Sequence, residues 1–150
     1  MRVYGNEVTF DADLVGPWVS AKTGGTWTKG RGTAIGKLDA NGNLIAGVLF
    51  EDWNGANIIE HIAGEGLWAT KGFLHLIFDY PFNQLKVKRI TAPIAASNAK
   101  SINLVTKMGF TLECTLAQAN PDGDVHIFRM FKEECKYLRG KYEVQRTSST

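Results

Sequence analysis

The sequence predicts a single mixed α/β domain, built on a sheet of six or seven strands with a central βαβ crossover. Three observations carry this. The first third of the 150 residues breaks into short apolar runs separated by turn residues. The apolar spacing then changes to a helical period over Trp68 to Phe82. A strand-like run follows that helix, which is the order of a crossover between parallel strands. The length suits one domain over residues 1–150.

Val8 to Phe10 is a first short strand. Asp11 or Asp13 caps a short helix through Leu14, Val15, Trp18 and Val19, weakened by Gly16 and Pro17. Thr33 to Leu38 and Leu44 to Phe50 form a hairpin around Asn41-Gly42, a pair suited to positive φ. The second of these strands is almost continuously apolar, as in a strand covered on both faces. Ala56 to Ala63 is the next, Ile-rich strand. Trp68 to Phe82 is a buried helix with Pro81 in its last turn, and Val87 to Ile94 is the strand after it. Ser97 or Asn98 caps a further helix, which Gly109 ends in the left-handed position. Phe110 to Leu116 and Val125 to Phe131 close the domain as a hairpin, and the polar tail 145–150 is expected to fray.

Composition narrows the function. Apolar residues make up 44% and charged residues 21%, which are globular values. Two cysteines and three scattered histidines do not form a metal site at ordinary ligand spacing, so no metal is expected. No apolar run is long enough to span a membrane, and the first residues lack a signal-peptide stretch, so a cytoplasmic setting is expected. The net charge of +2 argues against nucleic acid as a partner. That small total conceals a gradient. Residues 1–66 hold five basic and eight acidic residues, residues 67–128 six and four, and residues 129–150 six and three. Either this is solvated surface, or the later parts meet an anionic ligand.

Two stretches carry a resemblance. Phe78-Asp79-Tyr80-Pro81-Phe82-Asn83-Gln84-Leu85-Lys86-Val87-Lys88-Arg89-Ile90 precedes Asn98-Ala99-Lys100-Ser101-Ile102-Asn103-Leu104-Val105-Thr106-Lys107-Met108-Gly109-Phe110. This order resembles the GNAT superfamily of N-acetyltransferases. Asn98, Ser101, Leu104, Lys107, Gly109 and Phe110 match an N-x-x-S-x-x-L-x-x-K-x-G-F signature of the branch that acetylates ribosomal-protein N-termini. The closing Asp122 to Met130 is similar to that branch as well, and the likeness covers about residues 33–138.

The resemblance implies two parallel strands that splay apart, here Ile58–Ala63 and Lys88–Ile94, with acetyl-CoA in the wedge between them. It implies that the pantetheine arm runs along the first strand at Ile62 and Ala63, with Trp68 beside it. The pyrophosphate would sit on the start of the following helix, at Ala69, Thr70, Lys71, Gly72 and Phe73. A helix start presents unpaired N–H donors and partial positive charge, so that placement also has a physical basis. The family loop reads Q/R-x-x-G-x-G/A, whereas here Leu67 and Thr70 replace the first residue and the first glycine. Asn98 is implied to reach the pantetheine arm, besides capping its helix. Ser101, one turn on, is implied to stand near the thioester. The resemblance implies a Tyr as general acid on this helix in many members, and Val105 stands in its place here.

A base for the attacking amine is sought on the strand of Glu60 and His61, which point to opposite faces. Either can serve; Glu65 and His126 are further candidates, while His75 reads as packed. Trp53 is a candidate wall of the acceptor site, and Asp11, Asp13, Glu51, Asp52, Glu60 and Glu65 are expected to favour a cationic amine. The implied activity is acetyl transfer to a primary amine, which could be a protein N-terminus, a lysine or a small amine. The alternative is an acyl-CoA-binding module without turnover. Monomer and homodimer are both compatible with the sequence.

Overall fold

The computed structural model describes residues 7–140. The elements run in the order β1 (Val8–Thr9), α1 (Ala12–Thr23), β2 (Gly32–Leu38), β3 (Leu44–Glu51), β4 (Asn57–Gly64), α2 (Lys71–Asp79), β5 (Arg89–Ala95), α3 (Ala99–Met108), β6 (Thr111–Asn120) and β7 (Gly123–Phe131). They form one seven-stranded sheet in the order β1-β2-β3-β4-β5-β7-β6. The four leading strands are antiparallel neighbours, β4 and β5 are parallel, and β7 lies antiparallel between β5 and β6. The expected tail at 145–150 lies outside the described residues.

Helices cover both faces. The main core gathers Val48, Phe50, Ile58 and Ile62 from the sheet with Phe73, Ile77, Phe78, Val105 and Met108 from α2 and α3. On the opposite face, Val15 and Val19 of α1 pack on Ala34, Leu49 and Ala63. Even and odd residues of β4 therefore serve different cores, which is the alternation of an extended strand.

Helix α1 is longer than expected and carries Pro17 within it, starting at Asp11, whose side chain accepts from the Asp13 N–H. It lies very close to the sheet. A Cβ on Gly47 would stand 2.6 Å from Val19 Cγ2 and 2.8 Å from Val15 Cγ1. Gly47→Ala should therefore lift α1 and destabilise the protein by about 1–3 kcal/mol in chemical denaturation. An unchanged midpoint would show that the helix is not seated through this glycine.

The helix expected over Trp68–Phe82 is shorter at both ends. Thr70 caps it, so α2 starts at Lys71, and Trp68 lies in the preceding loop. Pro81 has no N–H for the next α-helical bond. The chain widens into a π turn over Tyr80–Gln84, closed by Leu85 N–H donating to the Tyr80 carbonyl. The following strand begins only at Arg89, because the N–H groups of Val87 and Lys88 donate to Pro81 and Ala56 carbonyls. Helix α3 is capped by Asn98, which accepts from the Ser101 N–H at 3.1 Å. It ends at Gly109 with φ 105°, a left-handed angle suited to glycine.

Candidate active site

Strands β4 and β5 pair at only three positions, Asn57 with Arg89, Ile58 with Ile90 and Ile59 with Thr91. Both then continue, β4 to Gly64 and β5 to Ala95. β4 stays in register with β3 as far as Gly64, and β5 with β7 as far as Ala95. The sheet thus consists of two regular halves that part between β4 and β5. Thr91 holds the apex, its hydroxyl donating to Asn57 Oδ1 at 2.6 Å. Beyond it the facing strand edges have no neighbouring strand.

A cavity of about 580 Å³ occupies this wedge. Its walls are Glu60, His61 and Ile62 on β4, Ala92 to Ala95 on β5, and Asn98, Ser101 and Val105 along one side of α3 and its cap. The end of α1, Ala21 to Gly25, forms another side, and Asn120, Asp122 and Val125 of the β6–β7 hairpin complete it. Asn98 links two walls, since it caps α3 and its Nδ2 donates to the Thr23 carbonyl at 3.5 Å. A second cavity of about 350 Å³ shares Lys22, Ile62 and Ser101 with the first. It adds Ala63, Gly64, Trp68 and Leu104, and is rimmed by Lys100 and Lys107. Lys22 is paired with Glu65, which leaves Lys100 and Lys107 as the cations that suit an anionic group here.

The structure brings together Glu60, His61, Ile62, Asn98 and Ser101 at the wedge, and Ile62, Ala63, Trp68 and Ser101 at the second cavity. It does not bring Ala69, Thr70, Lys71, Gly72 or Phe73 to the walls of either. Thr70 Oγ1 accepts from the Phe73 N–H at 3.4 Å, and the Phe73 ring is buried in the main core. Trp68 packs edge-on against Phe73 at 6.0 Å and lies over Gly64, where a Cβ would meet its Nε1 at 2.3 Å. Lys37 of β2 is buried at this helix start, with Nζ 3.3 Å from Thr70 Oγ1 and 3.4 Å from Glu7 Oε1. A cation at a helix N-terminus opposes the helix dipole, so this end is unusually positive.

The two candidate bases differ sharply. Glu60 faces the main core, is buried, and neither carboxyl oxygen has a hydrogen-bond partner. Burial holds its pKa well above the usual carboxylate range, which favours the protonated form. His61 faces the other side and borders the cavity, with Nε2 3.4 Å from Glu51 Oε1. Burial lowers its pKa, and Glu51 partly offsets that, so the imidazole stays neutral near pH 7.

Other candidates lie elsewhere. Glu65 pairs with Lys22. His126 contacts Thr115 Oγ1 at 2.8 Å on the hairpin, and His75 is buried with Nδ1 3.1 Å from the Tyr137 carbonyl. Trp53 does not wall the wedge. It sits in the β3–β4 turn, at the paired end of β4, and its indole N–H donates to the Leu85 carbonyl. The acidic acceptor face is not assembled as expected either: Asp11 caps α1, Asp13 pairs with Lys29, and Glu51 and Asp52 pair with Arg31. The acids on the wedge wall are Glu60 and Asp122. Sequence reasoning placed acceptor specificity in residues 11–32 and the loop 117–124, which include the end of α1 and the hairpin residues on the wedge wall, but did not single out Lys22 or Lys37. Lys100 and Lys107 were legible as a pair seven residues apart on one helix face. Among the described residues no group of three or more His, Cys, Asp or Glu is placed to hold a metal, and no helix is long and apolar enough to cross a membrane.

No protein-family model matches the sequence, and comparison with curated proteins finds no relative. Solved structures do match. A chimera of the Vibrio cholerae spermidine N-acetyltransferase SpeG with hSSAT superposes with a TM-score of 0.61 and 22% identity, over 75% of this chain and 72% of that one. A point mutant of the Vibrio cholerae enzyme gives 0.58 and 26%, over 74% and 69%. A dodecameric structure of the same enzyme gives 0.59 and 22%, over 74% and 70%. The seven-stranded order, the parallel β4–β5 pair that parts beyond its apex and these superpositions together give the chain the fold of the GNAT N-acetyltransferases.

Proposed function

We propose that the protein transfers an acetyl group from acetyl-CoA to a primary amine by direct attack, and that the acceptor is a small cationic amine of the polyamine class. The single observation that carries this is the parting of β4 from β5, with a cavity running through it that is walled by Glu60, His61 and Ser101. The free edge of β4 at Ile62 and Ala63 offers backbone groups to the amide-bearing pantetheine arm. Trp68 closes the side of that path, and Asn98 and Ser101 stand across it on α3. Lys100 and Lys107 suit the phosphates of the nucleotide end, with the start of α2 at Ala69 to Phe73 as the further anion site.

The acceptor enters from the α1 side, between Ala21–Gly25 and the β6–β7 hairpin. There Asp122 supplies a carboxylate for a second ammonium. The spermidine and spermine acetyltransferases among the structural neighbours share this fold and are named for such acceptors, which favours this class over the ribosomal-protein N-terminus suggested by the α3 signature. Held neutral, Glu60 has a proton to donate and suits the acid that meets the departing thiolate. Ser101 suits a hydrogen bond to the thioester oxygen.

Following CoA release with acetyl-CoA and a panel of amines tests the reading. Release that depends on spermidine or spermine is expected. Binding without release across the panel would instead support an acyl-CoA-binding module. The double reversal Lys100→Glu with Lys107→Glu should weaken acetyl-CoA binding about tenfold at low salt, and less at high salt, by calorimetry. An unchanged affinity would place the nucleotide elsewhere.

A further inference from the structure

We propose that Glu51 is a positioning residue for His61, holding its imidazole as the base that takes the proton from the attacking amine. This rests on the acetyl-transfer reading above and assigns the base within it. The residues are far apart in sequence and are joined by strand register. Glu51 of β3 lies opposite Ile59, and His61 lies two residues further along β4, on the same face. The Glu51 side chain is only 8% exposed, that of His61 is 29% exposed, and Nε2 and Oε1 are 3.4 Å apart. The second Glu51 oxygen faces Arg31 Nε at 3.9 Å, and Arg31 Nη2 is anchored by Asp52 Oδ2 at 3.1 Å. A buried carboxylate therefore bridges an anchored guanidinium to one ring nitrogen of a histidine on the wedge wall.

The arrangement suits a base. Glu51 at Nε2 limits the ring's rotation and stabilises the imidazolium that forms when the proton arrives. Distances of this length are common before substrate binds and tighten on binding. The amine nitrogen bonds to the thioester carbonyl carbon and its proton passes to His61. The C–S bond breaks, its electron pair leaves with sulfur, and the thiolate takes the Glu60 proton. His61 then loses a proton to solvent and Glu60 regains one, so the net products are the amide and the free thiol. Other charged groups near His61 are limited. Arg31 comes from the segment before β2, and Asp52 stands behind it. Glu60 points to the opposite face of β4, α1 presents Lys22 already paired to Glu65, and the hairpin presents Asp122. The cavity-lining residues of β5, Ala92 to Ala95, carry no charge.

The test reads the imidazole and the rate together. The chain has three histidines, so the His61 ring signal can be assigned in the NMR spectrum by comparison with His61→Gln. Glu51→Gln should lower the His61 pKa, move the acidic limb of kcat/KM to lower pH, and reduce kcat about tenfold or more with KM little changed. Arg31→Met, on a half-exposed side chain, should shift the same pKa and the same limb upward. Opposite shifts from two neighbouring substitutions are not produced by simple loss of packing. A His61 titration that ignores both substitutions, or wild-type kcat in Glu51→Gln, would overturn the assignment while acetyl transfer stands. A wild-type protein without turnover on any amine would overturn the functional reading itself, whatever the imidazole does.

Discussion

Ser101→Trp is expected to abolish acetyl-CoA binding and leave the fold intact. Among the described residues, Ser101 lines both cavities with only Lys22 and Ile62 for company, and it stands on the first turn of α3 facing the parted strands. An indole there projects into space that the proposed reading gives to the pantetheine arm. The wedge cavity measures about 580 Å³, so a ring can enter it without forcing the core apart. Affinity for acetyl-CoA should fall by about 100-fold or more, while the melting temperature stays near that of wild type. Ser101→Ala removes only a hydroxyl and should bind acetyl-CoA normally with a lower kcat. Calorimetry on both variants checks this. Undiminished binding by the Trp variant would mean that the cofactor does not thread the wedge.

Glu60→Leu is expected to stabilise the protein and disable it. Both carboxyl oxygens of Glu60 are buried without a hydrogen-bond partner, a costly arrangement for a polar group. Its folded pKa lies above its unfolded one because burial disfavours the charge. Its stabilising protonation is complete below the unfolded pKa and is lost as pH rises through the folded value. The wild-type protein should therefore lose stability with rising pH across that window. Glu60→Leu removes both the unpartnered group and this dependence. It should gain about 1–3 kcal/mol in denaturant unfolding at neutral pH, and relatively more at pH 8 than at pH 5. Acetyl transfer should fall by about 10²–10⁴ in kcat if the neutral carboxyl supplies the proton to the thiolate. A destabilised variant, or one with full activity, would contradict the role given to this residue. A carboxyl that weakens the fold where it stands is most simply understood as serving the reaction.

Local chemistry was legible in the sequence and long-range pairing was not. Asn98 and Gly109 bracket α3 because a side-chain cap and a left-handed glycine act within a few residues of the helix they bound. The Asn41-Gly42 turn and the strands on either side of it were readable for the same reason. The start of α2 was misplaced because Trp68 fits the apolar period of the helix, yet its ring is drawn out of that period by the bare backbone of Gly64. Nothing local marks that contact. Glu60 and His61 were found together on β4, and their opposite faces followed from strand alternation. The partner that separates them, Glu51, comes from another strand whose register no short pattern encodes. The gathering of acids expected at the acceptor failed likewise, because Asp13, Glu51, Asp52 and Glu65 are each paired with a cation distant in sequence. The wedge itself was legible through the resemblance alone.

In the proposed reaction the parted strands β4 and β5 hold the reacting thioester. A crystal structure of the protein with CoA tests it most directly. The sulfur is expected between the two strands beyond Ile59 and Thr91, within reach of Glu60, His61 and Ser101, with the nucleotide toward Lys100 and Lys107. A CoA molecule bound outside the wedge, with its sulfur remote from those three side chains, would contradict it.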